Sequence, residues 1–103
     1  MSMEQPSEFC TLHGLSFVHL YGITLLDKQS AVCYCRYLHG NGSHILGVDG
    51  FFLIDGDKLQ PSLEHSIDIT CEQYRNKSQS ERDNELFEFI NSQPENIYFE
   101  IIT

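Results

Sequence analysis

Apolar and polar residues alternate without interruption along one stretch of the chain, residues 63–72 (LEHSIDITCE). Because successive side chains of a β-strand point to opposite faces, this alternation predicts a strand with one apolar and one polar face. The apolar residues that we expect in the core are Leu63, Ile67 and Ile69. The polar face is acidic, and its carboxylates stand four residues apart at Glu64, Asp68 and Glu72.

Two stretches of the first half are also predicted as strands, because they are rich in apolar, aromatic and β-branched residues. Residues 15–26 are apolar on both faces, which is typical of a central strand, and Gly22 is predicted to mark a bulge or bend. Residues 31–39 (AVCYCRYLH) are predicted as the second strand. The connection 40–43 (GNGS) favours a hairpin, since Gly and Asn tolerate positive φ angles.

Strands are predicted on both sides of a turn in the middle of the chain and again at its end. Residues 44–54 form either one bent strand or two short strands that turn at 49–50. Residues 55–57 (DGD) then break the pattern as a turn. Residues 97–102 (IYFEII) alternate again and are predicted as the last strand.

One helix is predicted before the last strand. Ser78 and Glu81 have the spacing of a capping box, in which the two residues satisfy free backbone N–H groups at a helix start. Leu86 and Ile90 then fall on one helical face. Residues 91–94 (NSQP) end the helix, because proline cannot continue it.

Together these elements predict an α+β fold, with an antiparallel or mixed sheet of five to six strands and one helix packed on a face before the last strand. Because the helix lies between the last two strands, a crossover would make those strands parallel neighbours. Residues 1–8 are polar and are predicted to form an N-terminal arm. Residues 9–103 are then a single domain.

The charge of the chain changes the functional picture. Its 103 residues include 15 acidic and 6 basic ones, which gives a net charge of −9. Residues 1–48 hold three acidic and two basic residues, whereas residues 49–103 hold twelve and four. Such a surface repels nucleic-acid phosphates and anionic membranes and favours a basic protein partner. We therefore expect no nucleic-acid partner and no membrane contact.

Two features resemble metal sites, and neither has the required spacing. Residues 33–35 (CYC), with His39 and His44 nearby, have one residue between the cysteines, whereas structural zinc sites usually have two to four. Residues 55–57 resemble the start of a calcium loop, but residues 58–61 (KLQP) stand where further ligands are needed. We expect no metal or cofactor. A small metal- or ligand-binding module that uses these His and Cys residues is an alternative.

No motif of a catalytic centre occurs in the sequence. His65 and Cys71 share the predicted strand face but stand too far apart to form a hydrogen bond. Cys10 and His13 are close in sequence and lack an identifiable third group. We therefore expect no enzymatic activity.

The cysteines and the N-terminus indicate the compartment. Four cysteines follow a start that has neither the basic residues nor the apolar run of a secretory signal. No stretch approaches the ~20 apolar residues that a transmembrane helix needs. We expect a cytoplasmic protein with free thiols.

In its length, its net charge and its acidic second half (Asp49–Glu100), the chain resembles the small acidic immunity proteins of bacterial toxin systems, including those of contact-dependent growth inhibition. The resemblance implies an inhibitor that neutralises a basic toxin domain, such as an RNase-like nuclease, by covering its active site with acidic residues. The same profile suits phage-encoded inhibitors such as anti-CRISPR proteins. We expect a monomer or a weak homodimer. A further hypothesis is a small subunit of a homo-oligomer in which strand 97–102 pairs edge to edge.

The candidate contact residues are acidic positions of the second half and two tyrosines. Opposite charge would raise the association rate, and buried aromatic side chains would supply much of the affinity. On the predicted helix, Glu81, Glu85 and Glu88 share one face because they stand at positions i, i+4 and i+7. The full set is Glu64, Asp68 and Glu72 on the strand, Glu81, Asp83, Glu85 and Glu88 on the helix, Asp55 and Asp57 at the rim, and Tyr74 and Tyr98 as anchors.

Overall fold

A computed structural model describes residues 4–103, in which three helices and five strands form an α+β fold. The predicted fold class is confirmed, although the sequence predicted a single helix. A short 3₁₀ turn at Glu72–Tyr74 precedes the last helix. In chain order the elements are α1 Pro6–His13, β1 Phe17–Leu20, β2 Ile23–Leu26, α2 Lys28–Gly40, β3 Gly47–Ile54, β4 Lys58–Asp68, α3 Gln79–Ser92 and β5 Ile97–Ile102.

The five strands form one sheet in the order β1-β2-β5-β3-β4, and every neighbouring pair is antiparallel. The last strand lies in the middle of the sheet, with β2 and β3 on its two sides. The predicted edge-to-edge pairing of residues 97–102 is therefore wrong, because this strand has no free edge. The last two strands are also not neighbours, since β3 separates β4 from β5.

The predicted strand at residues 31–39 is wrong, since these residues lie within α2. Asp27 caps this helix by accepting a hydrogen bond from the backbone N–H of Ser30 at 2.8 Å. The buried residues Ala31, Cys35 and Leu38 recur at helical spacing. The strand-favouring Val, Tyr and Cys residues between them concealed this period.

The apolar block at residues 15–26 forms a hairpin of β1 and β2 and not one strand. Tyr21 and Gly22 stand between the two strands with φ angles of 53° and 76°. Two successive positive φ angles are typical of the tight hairpin turns that follow the twist of the strands. Residues 47–54, by contrast, form one strand, so the bent-strand alternative was right for this region.

The predicted helix is confirmed as α3. Ser78 accepts a hydrogen bond from the backbone N–H of Glu81 at 3.1 Å, as the capping box requires. The helix ends at Ser92, inside the segment that was predicted to end it. Of the predicted arm, residues 1–3 lie outside the described residues, and residues 6–8 form the first turn of α1.

The main hydrophobic core lies between the helices and one face of the sheet. The opposite face of the sheet is covered at two buried residues, Leu25 and Phe51, which lie outside that core. The Tyr21 hydroxyl donates a hydrogen bond to the Asp57 carbonyl oxygen at 2.7 Å, which joins the tip of the β1–β2 hairpin to the β3–β4 turn. In a flat sheet of this register the two tips would lie at opposite ends of β5. The β1–β2 hairpin therefore curls over the second face.

The predicted strand at 63–72 is only partly right, because β4 ends at Asp68 and is interrupted by a bulge. Val48 of β3 pairs with Ile67 and Gly50 pairs with Ser62, so residues 63–66 stand opposite a single residue. We call residues 63–66 the β4 bulge. Leu63 was predicted in the core but is 92% exposed, whereas Ile67 and Ile69 pack into the core as predicted.

Ser66 and Gly50 hold the β4 bulge in place. The Ser66 hydroxyl accepts a hydrogen bond from the Gly50 backbone N–H at 2.9 Å and donates one to the Ser62 carbonyl oxygen at 2.7 Å. A Cβ atom on Gly50 would lie only 2.2 Å from the carbonyl oxygen of His65. The bulge therefore requires glycine at this position of β3.

We predict that Gly50→Ala lowers the free energy of unfolding by about 3 kcal/mol, because the added methyl group pushes the two strands apart. Gly40→Ala is the matched control, since a Cβ atom there meets no heavy atom within 4 Å. We expect the control to have unchanged or slightly raised stability. Urea denaturation measures both variants, and a Gly50→Ala protein as stable as the unmodified one would contradict this packing.

Candidate functional site

The carboxylates of the second half divide into those with a cationic partner and those without one. Glu72 lies 3.8 Å from Arg75, Glu95 lies 3.5 Å from Lys28, and Glu85 pairs with Lys77. These three acidic residues lie on or next to the helices and the 3₁₀ turn. Their charges are largely compensated within the molecule, so they contribute little to the field that a partner would meet.

The second group lies on the sheet, except for Glu81 and Glu88 of α3. Within the described residues, no ion pair involves any carboxylate of β3, β4, β5 or the turn between β3 and β4. We call the hairpin of β3 and β4, Gly47–Asp68, the acidic ribbon. Lys58 is the only lysine or arginine in it. The uncompensated carboxylates of the sheet are Asp49, Asp55, Asp57, Glu64 and Asp68 on the ribbon and Glu100 on the neighbouring strand.

The three carboxylates that were predicted on one strand face, Glu64, Asp68 and Glu72, do not line one face of a strand. Glu72 lies in the 3₁₀ turn, outside the strand, and pairs with Arg75. Glu64 is exposed in the β4 bulge, which shifts its phase relative to Asp68 at the end of the strand. Hydrogen bonds from the side chain and the backbone N–H of Thr70 lower the pKa of Asp68. Glu64 and Asp68 thus remain on the surface, on the same ribbon.

The acidic face predicted on α3 is weaker than its sequence suggests. Glu85 pairs with Lys77, and Glu81 accepts a hydrogen bond from the hydroxyl of the capping residue Ser78. Only Glu88 of the predicted trio is exposed without a polar contact among residues 4–103. The trio shares a face as predicted, but two of its members are engaged inside the protein.

Asp83 was predicted as a contact residue, and this prediction is wrong because the side chain is only 1% exposed. Its carboxylate accepts hydrogen bonds from His39 Nδ1 and from Gln79 Nε2, both at 2.7 Å. His44 Nδ1 in turn lies 3.1 Å from Gln79 Oε1. This network ties the end of α2 and the loop after it to α3. The sequence did not reveal it because residues 31–39 were assigned to a strand.

The metal-binding alternative relied on the same histidines. The predicted hairpin that would bring them together does not form, and each instead contacts α3. In the part of the chain that the structure describes, no three His, Cys, Asp or Glu residues are grouped so that they could hold a metal ion.

The two predicted aromatic anchors differ in accessibility. Tyr74 is only 8% exposed and belongs to the core, so its prediction as an anchor is wrong. Tyr98 is half-buried on the second face of the sheet, where it pairs with Phe51 of β3. The most exposed large apolar side chain of the acidic ribbon is Leu63, which the sequence predicted in the core, and Ile54 is exposed to a smaller extent.

Asp49 and Glu100 stand directly opposite each other on β3 and β5. Burial raises the pKa of Glu100, and the neighbouring charge of Asp49 raises it further. Like charges in such a cross-strand pair destabilise a sheet. Sequence reasoning did not find this pair, because it appears only when the register of the two strands is known.

Comparisons with known proteins add no functional assignment. The chain matches no protein-family model, and no curated protein is significantly similar to it in sequence. Across residues 4–103, none of the helices has the length and apolar character needed to cross a membrane.

We predict that Glu100→Gln raises the free energy of unfolding at neutral pH by about 0.5 kcal/mol, because it removes the repulsion from Asp49. A raised carboxyl pKa means that the folded state binds the proton more tightly, so the unmodified protein loses stability as pH rises through that range. The gain should vanish in acid, where Glu100 is protonated in both the folded and the unfolded state.

Urea denaturation at pH 7 and at pH 3 measures this gain. Glu64→Gln is the control, because Glu64 is exposed in the bulge and faces no carboxylate across a ladder. A gain that persists at pH 3, or an equal gain in the control, would show that the charge of Glu100 is not the cause.

Proposed function

We propose that this chain is a protein-binding inhibitor that attaches to a basic partner through its acidic ribbon. One observation supports the proposal above the others. Leu63 is 92% exposed, and it lies on an edge strand among carboxylates that no lysine or arginine of the described residues compensates. An exposed apolar side chain surrounded by charge of one sign is typical of the centre and rim of a binding surface.

The β4 bulge explains how this surface would act. The hydrogen bonds of Ser66 fix the backbone of the bulge, so Leu63 is held outward before any partner arrives. A side chain that is ordered in advance loses little conformational entropy on binding. The surrounding carboxylates would raise the association rate and select a basic surface, while Leu63 would supply affinity in a pocket of the partner.

The charge profile supports a nuclease toxin domain as the partner, in line with the resemblance to small acidic immunity proteins. A nuclease holds its substrate phosphates with lysine and arginine side chains. Carboxylates of the ribbon would pair with those cations and cover the active site, so the chain needs no catalytic group of its own. The inhibitor would act in the cytoplasm, where its four free cysteines stay reduced. A phage-encoded inhibitor would use the same surface against another nucleic-acid-binding enzyme.

The test compares two matched charge reversals, Glu64→Lys on the ribbon and Glu88→Lys on α3. Both residues are exposed, and both substitutions change the net charge by the same amount. We expect Glu64→Lys to weaken binding on the order of 30-fold, about 2 kcal/mol, and Glu88→Lys to change it by less than about 3-fold. Isothermal titration calorimetry measures both, with partners taken from the products of adjoining genes. Leu63→Ser should weaken binding at least as much as Glu64→Lys.

An equal loss in the two charge reversals would mean that only net charge matters and that the ribbon is not the surface. A larger loss for Glu88→Lys would move the surface to α3. An acidic or uncharged partner would contradict the proposal altogether.

A further inference from the structure

A cavity of about 300 Å³ opens at the end of the sheet where β3 begins. Gly47 pairs with Ile102 of β5 on one side and with Asp68 of β4 on the other. Glycine has no side chain, so none stands between the side chains of Ile102 and Asp68 across the sheet. The backbone of β4 passes so close to Gly47 that a Cβ atom there would lie 2.3 Å from the Ile67 carbonyl oxygen. The walls are Leu46, Gly47, Asp49, Ile67, Asp68, Thr70 and Ile102.

The cavity combines apolar walls with carboxylates. Leu46 and Ile102 present apolar side chains, and Leu46 is 39% exposed. Asp49 and Asp68 come from two different strands, and Glu100 stands opposite Asp49 on a third. No lysine or arginine lines the cavity within the described residues, and none forms an ion pair with these carboxylates.

Two features of the carboxylates favour a cation from outside the chain. The cross-strand pair of Asp49 and Glu100 destabilises the free protein, and positions that break a local rule of sheet pairing are expected at functional sites. Asp68 Oδ1 accepts hydrogen bonds from both the backbone N–H and the hydroxyl of Thr70. This fixes the carboxylate and leaves Oδ2 without a hydrogen bond in the described residues.

We propose that this cavity receives an arginine side chain of the basic partner, an inference that rests on the proposed function. The methylene groups of the arginine would contact Leu46 and Ile102, and its guanidinium group would donate hydrogen bonds to Asp49 and Asp68. A planar guanidinium with five N–H donors can bridge carboxylates on two strands, whereas the compact ammonium group of lysine is a point charge without that fork.

The experiment needs no partner, because it titrates the free chain with a small probe. N-acetyl-L-arginine methylamide is added while the backbone amide shifts of the ¹⁵N-labelled chain are followed by NMR. We expect saturable shifts in the millimolar range, concentrated at Gly47, Asp68, Thr70 and Ile102. The citrulline analogue has nearly the same shape without the charge, and it should bind at least 10-fold more weakly. The lysine analogue should also bind more weakly than arginine.

Two double variants localise the binding. Asp49→Asn with Asp68→Asn should abolish the saturable shifts, whereas Asp55→Asn with Asp57→Asn removes the same charge at the β3–β4 turn and should retain them. Shifts that spread over the β3–β4 turn, or that survive in the variant with Asp49→Asn and Asp68→Asn, would overturn the proposed arginine site. Equal binding of the citrulline or the lysine analogue would overturn the specific role of the guanidinium group.

The cavity and the proposed function can fail separately. If Leu63→Ser weakens binding of the partner while Asp49→Asn with Asp68→Asn does not, the result supports the proposed binding surface and contradicts the arginine site. If the arginine probe binds as expected and neither Leu63→Ser nor Glu64→Lys affects the partner, the proposed role of the ribbon falls instead.

Discussion

The backbone of β4 passes over Gly50 so closely that no side chain fits between the two strands, and much of the proposed binding surface depends on this contact. The close approach accommodates three extra residues in β4, and Ser66 replaces the interrupted ladder with hydrogen bonds of its own. The extra residues shift the phase of the strand. Leu63 and Glu64 consequently point to solvent, while Ile67 returns to the core.

The distribution of ion pairs determines where the negative charge of the chain remains uncompensated. A net charge of −9 shows only that the chain is acidic. Among residues 4–103, three carboxylates on or next to the helices pair with a lysine or arginine, whereas no carboxylate of the sheet does. Glu81 and Glu88 of α3 also lack such a partner within these residues. Uncompensated charge on an edge strand disfavours pairing with another sheet, and this protection is useful for any sheet with an exposed edge. An exposed leucine on the same ribbon has no such use, and it supports our proposal that the ribbon binds a partner.

The sequence predicted the elements whose signals are local and missed those that depend on distant contacts. The capping box at Ser78 predicted α3 correctly, because the hydrogen bond from the Glu81 backbone N–H to the Ser78 hydroxyl lies within one turn. Helix α2 was missed because Asp27 is equally suited to a turn and to a cap, and strand-favouring residues follow it. The bulge could not be predicted, since an alternating sequence contains no sign that three residues will be left unpaired. Asp83 was misassigned because its partner His39 belongs to the helix that was missed.

The most direct test of the proposed binding surface is hydrogen–deuterium exchange of the free chain and of its complex with a basic partner. The outer edge of β4 has no neighbouring strand in the described structure, so its amides are protected only weakly in the free protein. We expect binding to slow exchange at least 10-fold across residues 62–68 and to leave residues 79–92 unchanged. Slower exchange confined to residues 79–92, with no change at 62–68, would contradict the claim that the acidic ribbon is the binding surface.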